Sequence, residues 1–412
     1  MQPENLDLSS LYTVHALSDR LQANIPHLDA IVLNAGAGGL IGLDWAKAIW
    51  SCLTEPIQAT TYPSYKVSSR GELTLPQRRL YPEPTEDSST AYNLGQIFTS
   101  NVLGHYILAH LLTPLLTSSP DNGRIIFTSS LEAYPFTFSP SDVQALQTHS
   151  AYESSKRLTD LLVLTSSLPS TKPFTSRFLS PSTSPPPSTH IALHDNINST
   201  PPPSSSASTT SLSSSDDPPE TEKAQITLTD HTNPHTSSSA GTPALLLAHP
   251  GICATSFFPL PLILQWAMQI AFYIARWLGS PWHTITAYKG AVAPVWLALA
   301  SREEIEDLET EGGKGKWGSG CDWRGRERVE RTGVGGWGIG GRVGESGRMG
   351  ERGRLGGKED VDFSGTMGKG KGKIEAVTRE AREEFEETGR ECWRQMEELR
   401  VFWEGWVLGE ED

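Results

Sequence analysis

Residues 123–130, GRIIFTSS, and residues 151–164, AYESSKRLTDLLVL, are the two stretches whose reading decides the fold. The first is a short apolar run between a glycine and a serine pair, the pattern of a strand buried in a parallel sheet. The second puts Tyr152 and Lys156 four residues apart, on one face of a helix and one turn from each other. An ammonium beside a phenol favours the phenolate, so the tyrosine's proton is held more loosely. A serine hydroxyl at the strand end, Ser130 or in the alternative register Ser129, can hold a carbonyl or alcohol oxygen against that tyrosine. The three together form an acid–base relay to a carbonyl oxygen, as a hydride transfer needs. A tyrosine and lysine at this spacing also describe a surface aromatic beside a solvated lysine, so the surrounding elements must decide.

Working outward, LDAIVLNAG contains an apolar run, Ala30 to Leu33, followed by Asn34, Ala35 and Gly36. It reads as another buried parallel strand. NVLGHYILAHLLTPLL reads as an amphipathic-to-buried helix opened by Asn101. LLLAHPGICAT reads as a strand running into Pro250, Gly251 and Thr255. Strands alternating with helices predict an α/β fold.

In this order the elements resemble the short-chain dehydrogenase/reductase family, from the first residues to about Ala300. The resemblance implies a Rossmann-like doubly wound parallel sheet and an NADP-dependent oxidoreductase. It implies that Asn101, Ser130, Tyr152 and Lys156 are catalytic, with Asn101 holding a water for the proton relay. It also implies that Asp7 lies near the adenine and that Asn34, Ala35 and Gly36 steady the sheet beside the cofactor. Tyr152 and Lys156 would touch the nicotinamide ribose, and Pro250, Gly251 and Thr255 would lie against the nicotinamide.

A narrower resemblance is to the sterol-reducing branch of fungi. It rests on SSKRLTDLLVLTSSLP, on the long run from AHPGICATSFF to VWLALAS, and on KWGSGCDWRGRERVE with CWRQMEELRVFW. It implies NADPH-dependent reduction of a 3-keto sterol to the 3β-alcohol after C4 demethylation in ergosterol synthesis. It further implies partnership with the sterol C4-demethylation enzymes at the cytosolic face of the endoplasmic reticulum membrane or at a lipid droplet. Two other readings remain: reduction of another lipid or retinoid-like carbonyl, and a non-catalytic scaffold in the demethylation complex.

The family opens with a strand and a Thr-Gly-x-x-x-Gly-x-Gly turn whose glycines let the backbone approach a pyrophosphate at a helix N-terminus. No such element is found here; the chain begins at MQPENLDLSS, with Asp7-Leu8 resembling the residues after the family's third strand. The expectation is a chain without roughly the first three strands and two helices of that half, with AIVLN as an apolar edge prone to aggregation. Poor NADPH binding follows from the same expectation. Gly333, Gly335 and Gly338 match G-x-G-x-x-G but lack a preceding strand and following helix pattern.

Hydrophobic residues make up 37% of the 412 residues, below the usual globular share. The deficit is concentrated in two tracts. Residues 179–240 are Ser-, Pro- and Thr-rich and read as a disordered insert, since they cannot bury enough apolar surface to offset chain entropy. Residues 301–371 are rich in glycine and charge and read as mostly disordered low complexity, followed by a helix over 372–412 docked on the core. That helix offers Val377, Phe385, Trp393, Met396 and Leu399 as its apolar positions. The dehydrogenase-like domain is thus expected over 1–300. Residues 38–90 form an irregular excursion whose Trp45 and Trp50 either line a substrate pocket or pack the excursion down.

A net charge of −14, with both signs mixed through the C-terminal region, argues against a nucleic-acid surface. The four cysteines form no C-x-x-C pair, so neither a disulfide framework nor a metal site is expected. Residues 257–278 are close in length to a membrane span but carry Gln265, Gln269 and Arg276. The expectation is a helix that covers the substrate site and dips into a membrane interface, with Trp266 and Trp277 at the boundary. A full span and a wholly buried helix are the alternatives.

Overall fold

Short apolar runs build the sheet that positions the site. The computed structural model describes residues 3–80, 92–180, 241–255, 260–342 and 377–409. Its strands are β1 (Ala30–Leu33), β2 (Leu40–Leu43), β3 (Lys66–Ser68), β4 (Arg124–Thr128), β5 (Ala244–His249), β6 (Lys316–Cys321) and β7 (Glu327–Thr332). The helices are α1 (Leu11–Asn24), α2 (Trp45–Thr54), α3 (Pro56–Thr61), α4 (Gln96–Phe98), α5 (Gly104–Leu111), α6 (Thr113–Thr117) and α7 (Ala151–Thr165). They continue with α8 (Lys172–Phe178), α9 (Leu262–Trp277), α10 (Ala287–Gly290), α11 (Val292–Leu299), α12 (Arg302–Gly312) and α13 (Arg379–Leu408).

The main sheet has the order β1-β4-β5-β6-β7, parallel through β6 and antiparallel between β6 and β7. Helices cover both faces, so the architecture is the expected α/β, Rossmann-like one. Side chains alternate across the sheet. Ile125 and Phe127 of β4 and Leu245 and Leu247 of β5 face a core shared with Ile107, Leu158, Leu162, Trp393 and Met396. Ile126, Leu246 and Ala248 face the opposite side, against Leu297 of α11 and Trp317 of β6. Among the described residues β1 pairs only with β4 and forms one edge, with Val32 43% exposed.

Residues 301–371 depart from the low-complexity reading. Their first part forms α12, β6 and β7, and the two strands extend the main sheet. Glycine suits this place. A Cβ at Gly318 would come within 2.3 Å of the His249 ring and 2.6 Å of Trp282, so a larger residue would push β6 off β5. Gly333, Gly335 and Gly338 lie in the turns after β7, and Val334 accepts from Gly338 there. The insert over 179–240 falls, from residue 181 onward, outside the described residues, as does 343–376.

The C-terminal helix spans Arg379–Leu408, begun by Thr378, whose side chain caps Ala381 N–H, and ended by Gly409 at φ 77°. It docks on α7: Trp393 Nε1 donates to Leu162 O at 2.9 Å. Phe385, Trp393, Met396 and Val377 are buried and Leu399 partly so. Tyr106 of α5 donates to Glu397 Oε1 at 2.7 Å, and Arg400 ties Glu397 to Glu404.

Burial holds His15, His105 and His110 at about 4 and His283 at about 3, and keeps His249 well below its ordinary range. An unfolded histidine protonates near ~6.5. Their folded values are depressed, so this stability is complete above that pH and is lost as pH falls toward about 4. Burial also pushes Glu132 and Glu404 up to about 7, which works in the opposite sense. The imidazoles outnumber these carboxyls, so the Tm should fall on acidification from about pH 7 to about pH 5. Calorimetry at matched ionic strength checks this; a constant or rising Tm would contradict it.

Candidate active site

Ligands in open α/β sheets bind beyond the carboxyl ends of the parallel strands. The predicted residues sit at those ends: Asn34 after β1, Ser130 after β4 and Pro250 after β5. They border a cavity of about 890 Å³, large enough for a single big apolar ligand. Asn34, Gly36, Ser130, Tyr152, Lys156, Pro250, Gly251 and Thr255 all line it. Gly251 has φ +69°, and a Cβ there would meet Trp282 O at 2.6 Å, so only glycine turns the chain so tightly beside the cavity.

α7 delivers the tyrosine and the lysine. Lys156 is buried, donates to Thr128 O at 2.8 Å, and lies 5.7 Å from the Tyr152 ring centre. Burial, with Lys316 nearby, lowers it to about 8. Burial, with Glu132 adding to it, raises Tyr152 to about 12; a hydrogen bond with Ser130 and the Lys66 charge pull it back. The tyrosine therefore holds its proton at neutral pH, and two ammonium groups flank its ring, Lys66 at 5.5 Å and Lys156 at 5.7 Å from the centre. Ser130 Oγ accepts from Glu132 N–H at 3.2 Å and is hydrogen-bonded with the Tyr152 side chain. Ser129 also borders the cavity, but its hydroxyl donates to Asp160 Oδ1 at 2.5 Å.

Asn101 stands outside the cavity lining, in the middle of a π-helical turn over Thr99–Leu103. Such turns inside α-helices often mark functional sites. Its amide accepts from Ala37 N–H at 2.7 Å and donates to Ala37 O at 2.9 Å and Ser155 Oγ at 3.0 Å. It thereby ties the loop after β1 to α7. Ala35 and Asp7 are also absent from the lining; Asp7 accepts from Ser9 N–H and Oγ–H at 2.9 and 2.7 Å.

The rest of the cavity is mostly apolar, with Thr60, Thr61 and Tyr65 among its polar side chains. α2 contributes Trp45, Ala48 and Ile49, and α9 contributes Leu264, Met268 and Phe272. Trp50 is exposed and takes no part in the lining. α9 lines the cavity with one side and exposes Leu262, Ile263, Trp266, Ile270 and Trp277 on the other, so it is not wholly buried. Arg276 turns inward and donates to His283 O and Thr284 O, both at 2.9 Å. Among the described residues no helix is long and apolar enough to cross a membrane.

No family model matches the chain. It is 39% identical to the 3-keto-steroid reductase of Aspergillus fumigatus over 409 residues, covering 97% of this chain and 76% of that protein. The chain belongs to the 3-keto-steroid reductase family. It is also 34% identical to the Gibberella zeae 3-keto-steroid reductase over 425 residues, with 98% and 76% of the two chains covered. With the Schizosaccharomyces pombe 3-keto-steroid reductase the identity is 31% over 334 residues, 80% and 70% of the two chains.

The residues lining the β1 and β5 side of the cavity fit the nicotinamide end of a dinucleotide, with backbone and small side chains around Gly36 and Gly251. Among the described residues no glycine-rich strand-to-helix turn stands beside β1 to take its phosphates.

The site of this family member also uses residues that sequence reasoning missed. Lys316, the first residue of β6, donates to Ser130 O at 2.6 Å and to Asp160 Oδ2 at 2.7 Å. Asp160 continues the four-residue spacing of Tyr152 and Lys156, a signal the sequence did offer; Lys316 lay in a tract read as low complexity. Both side chains are almost wholly buried, at 3% and 0% exposure. Removing one partner of such a pair strands the other. Lys316→Met should therefore destabilise the protein by about 3–5 kcal/mol. Urea unfolding checks this, and a loss under about 1 kcal/mol, the range of an exposed pair, would contradict it.

Proposed function

We propose that this chain reduces the 3-keto group of a sterol to the 3β-alcohol, the step after C4 demethylation in ergosterol synthesis, by a short-chain dehydrogenase/reductase mechanism. The observation that carries the proposal is the cavity itself. One end gathers Ser130, Tyr152 and Lys156, and the remainder is walled mostly by apolar side chains, chiefly of α2, α9 and α11. A rigid hydrocarbon with one carbonyl at its end matches that division, entering carbonyl first.

Asn34, Gly36, Pro250, Gly251 and Thr255 would hold the nicotinamide end of NADPH, which would supply the hydride when bound. Ser130 donates a hydrogen bond to the carbonyl oxygen and fixes it against Tyr152. Tyr152 gives its proton to that oxygen as negative charge develops there. Lys156 would contact the nicotinamide ribose and return a proton to the tyrosine, itself resupplied by a water held at Asn101. The relatives' printed names support the 3-keto substrate. The sterol C4-demethylation enzymes are the partners we propose.

We further propose that the outer faces of α2 and α9 rest on a membrane surface, at the cytosolic side of the endoplasmic reticulum or on a lipid droplet. Ile49, Trp50 and Leu53 of α2 join Ile263, Trp266 and Ile270 of α9 in exposure, around the mouth of a cavity for a membrane-dissolved substrate. With Arg276 turned inward, the outer face of α9 carries no charge.

Tyr152→Phe should lower NADPH-dependent reduction of a 3-keto sterol by at least about 100-fold with unchanged circular dichroism, because general acid catalysis of this kind contributes ~10²–10⁴. Retention of most of the rate in that variant would reject the proton-donor role. Trp266→Ser with Ile263→Ser should weaken co-sedimentation with phosphatidylcholine vesicles by about tenfold or more, given ~1.5–3 kcal/mol per buried large apolar side chain. Equal binding of variant and parent would remove α9 from the membrane contact.

A further inference from the structure

We infer that Lys66 is a positioning residue: held between Glu132 and Glu153, it locks the substrate-side wall of the cavity onto the helix that carries Tyr152. The inference rests on the reductase reading of the same cavity. Lys66 Nζ lies 2.8 and 2.9 Å from the two carboxylate oxygens of Glu132 and 2.6 Å from Glu153 Oε1. All three side chains are buried or nearly so, at 5%, 13% and 9% exposure. The ammonium also stands 5.5 Å from the centre of the Tyr152 ring.

The wall needs such an anchor. It comprises β2, α2, α3 and β3, and its sheet is a two-stranded pair with an irregular register between Leu40 and Gly42. A two-stranded pair is marginal on its own. Burying one ammonium with two carboxylates yields little net stability compared with apolar packing. What it provides is geometry, since both anions must sit where the cation is. Glu153 follows Tyr152 directly in α7. Glu132 follows Ser130 by two residues, and its N–H donates to Ser130 Oγ. One cation thus fixes the wall carrying Trp45, Ile49 and Thr61 relative to both residues that meet the carbonyl oxygen.

The clamp also sets the charge beside the tyrosine. Facing Glu132 are Lys66 from β3, Glu153 and Tyr152 from α7, Tyr62 and Tyr65 from the segment before β3, and Tyr134 from its own loop. Burial lifts Glu132 to about 7, with Lys66 opposing and Glu153 adding to the lift. As pH rises past that value the cluster gains a negative charge, which strengthens the hold of Tyr152 on its proton.

The test uses the full chain and Lys66→Met, Lys66→Arg and Glu132→Gln. Amide hydrogen exchange reports the wall without requiring turnover, and quenching of tryptophan fluorescence reports binding of a 3-keto sterol. Lys66→Met should speed exchange over residues 40–68 about tenfold or more, leave β4, β5 and α13 protected, and weaken sterol binding about tenfold. Lys66→Arg should restore much of both. Glu132→Gln keeps the Lys66–Glu153 pair and the protection, but its reduction rate should fall off at lower pH than the parent's, because a charge raising Tyr152 is gone. Unchanged exchange and sterol binding in Lys66→Met would overturn the inference. So would Lys66→Met unfolding as a whole with Lys66→Arg failing to rescue the wall. A parent chain that binds no 3-keto sterol would overturn the reductase reading instead, while the exchange result still judges the clamp.

Discussion

Tyr152, Lys156 and Asp160 lie four residues apart on one face of α7, and that polar face is pressed into the protein against the end of β4. The rest of the structure follows from making this tolerable. A buried ammonium or carboxylate needs a partner at hydrogen-bond distance. Lys156 finds Thr128 O, and Asp160 finds Ser129 Oγ and Lys316. Lys316 can reach Asp160 only because β6 is paired in parallel with β5. The ordering of a glycine-rich C-terminal segment and the placement of the polar face of α7 are therefore one constraint. The side of α7 that carries Arg157 is closed by α13, with Arg157 4.7 Å from the Phe385 ring centre and Trp393 bonded to the α7 backbone.

The same helix separates two electrostatic environments. Toward β6 it faces one cation–anion pair, Lys316 with Asp160. Toward β3 it faces an excess of carboxylate, Glu132 and Glu153 around Lys66. Tyr152 stands on the carboxylate side, which together with burial keeps its proton in place, and Lys156 stands on the cation side, which together with burial lowers it to about 8. A phenol that stays protonated and a lysine near its titration range would suit the proposed reduction followed by reprotonation. Away from this end the cavity wall is mostly apolar, and Trp50 and Leu53 of α2 and Ile263, Trp266 and Ile270 of α9 are exposed outside it.

Much of the arrangement was legible because it is local. AIVL, RIIFT and ALLLAH announce buried parallel strands by continuous apolar composition, and Tyr152 and Lys156 announce a shared helix face by spacing. The C-terminal helix was legible from its periodic aromatics. β6 was not, because KWGSGC places glycine where His249 and Trp282 leave no room for a side chain, and that demand comes from residues distant in sequence. The Lys66 cluster was hidden for a related reason: its anions lie 66 and 87 residues away, and no spacing rule connects a strand in an irregular excursion to a loop and a helix. The amide of Asn101 ties the loop after β1 to α7, through contacts 64 and 54 residues away that no spacing rule announces. Asp7 lies outside the cavity lining.

The most direct measurement is the fate of the hydride. The full chain would be incubated with a 3-keto sterol and NADPH deuterated on the nicotinamide ring, and the product examined by mass spectrometry and NMR. The account predicts a 3β-alcohol with deuterium on C3, and loss of that product when Tyr152 is phenylalanine. Absence of reduction at saturating NADPH, or deuterium at another carbon, would contradict it.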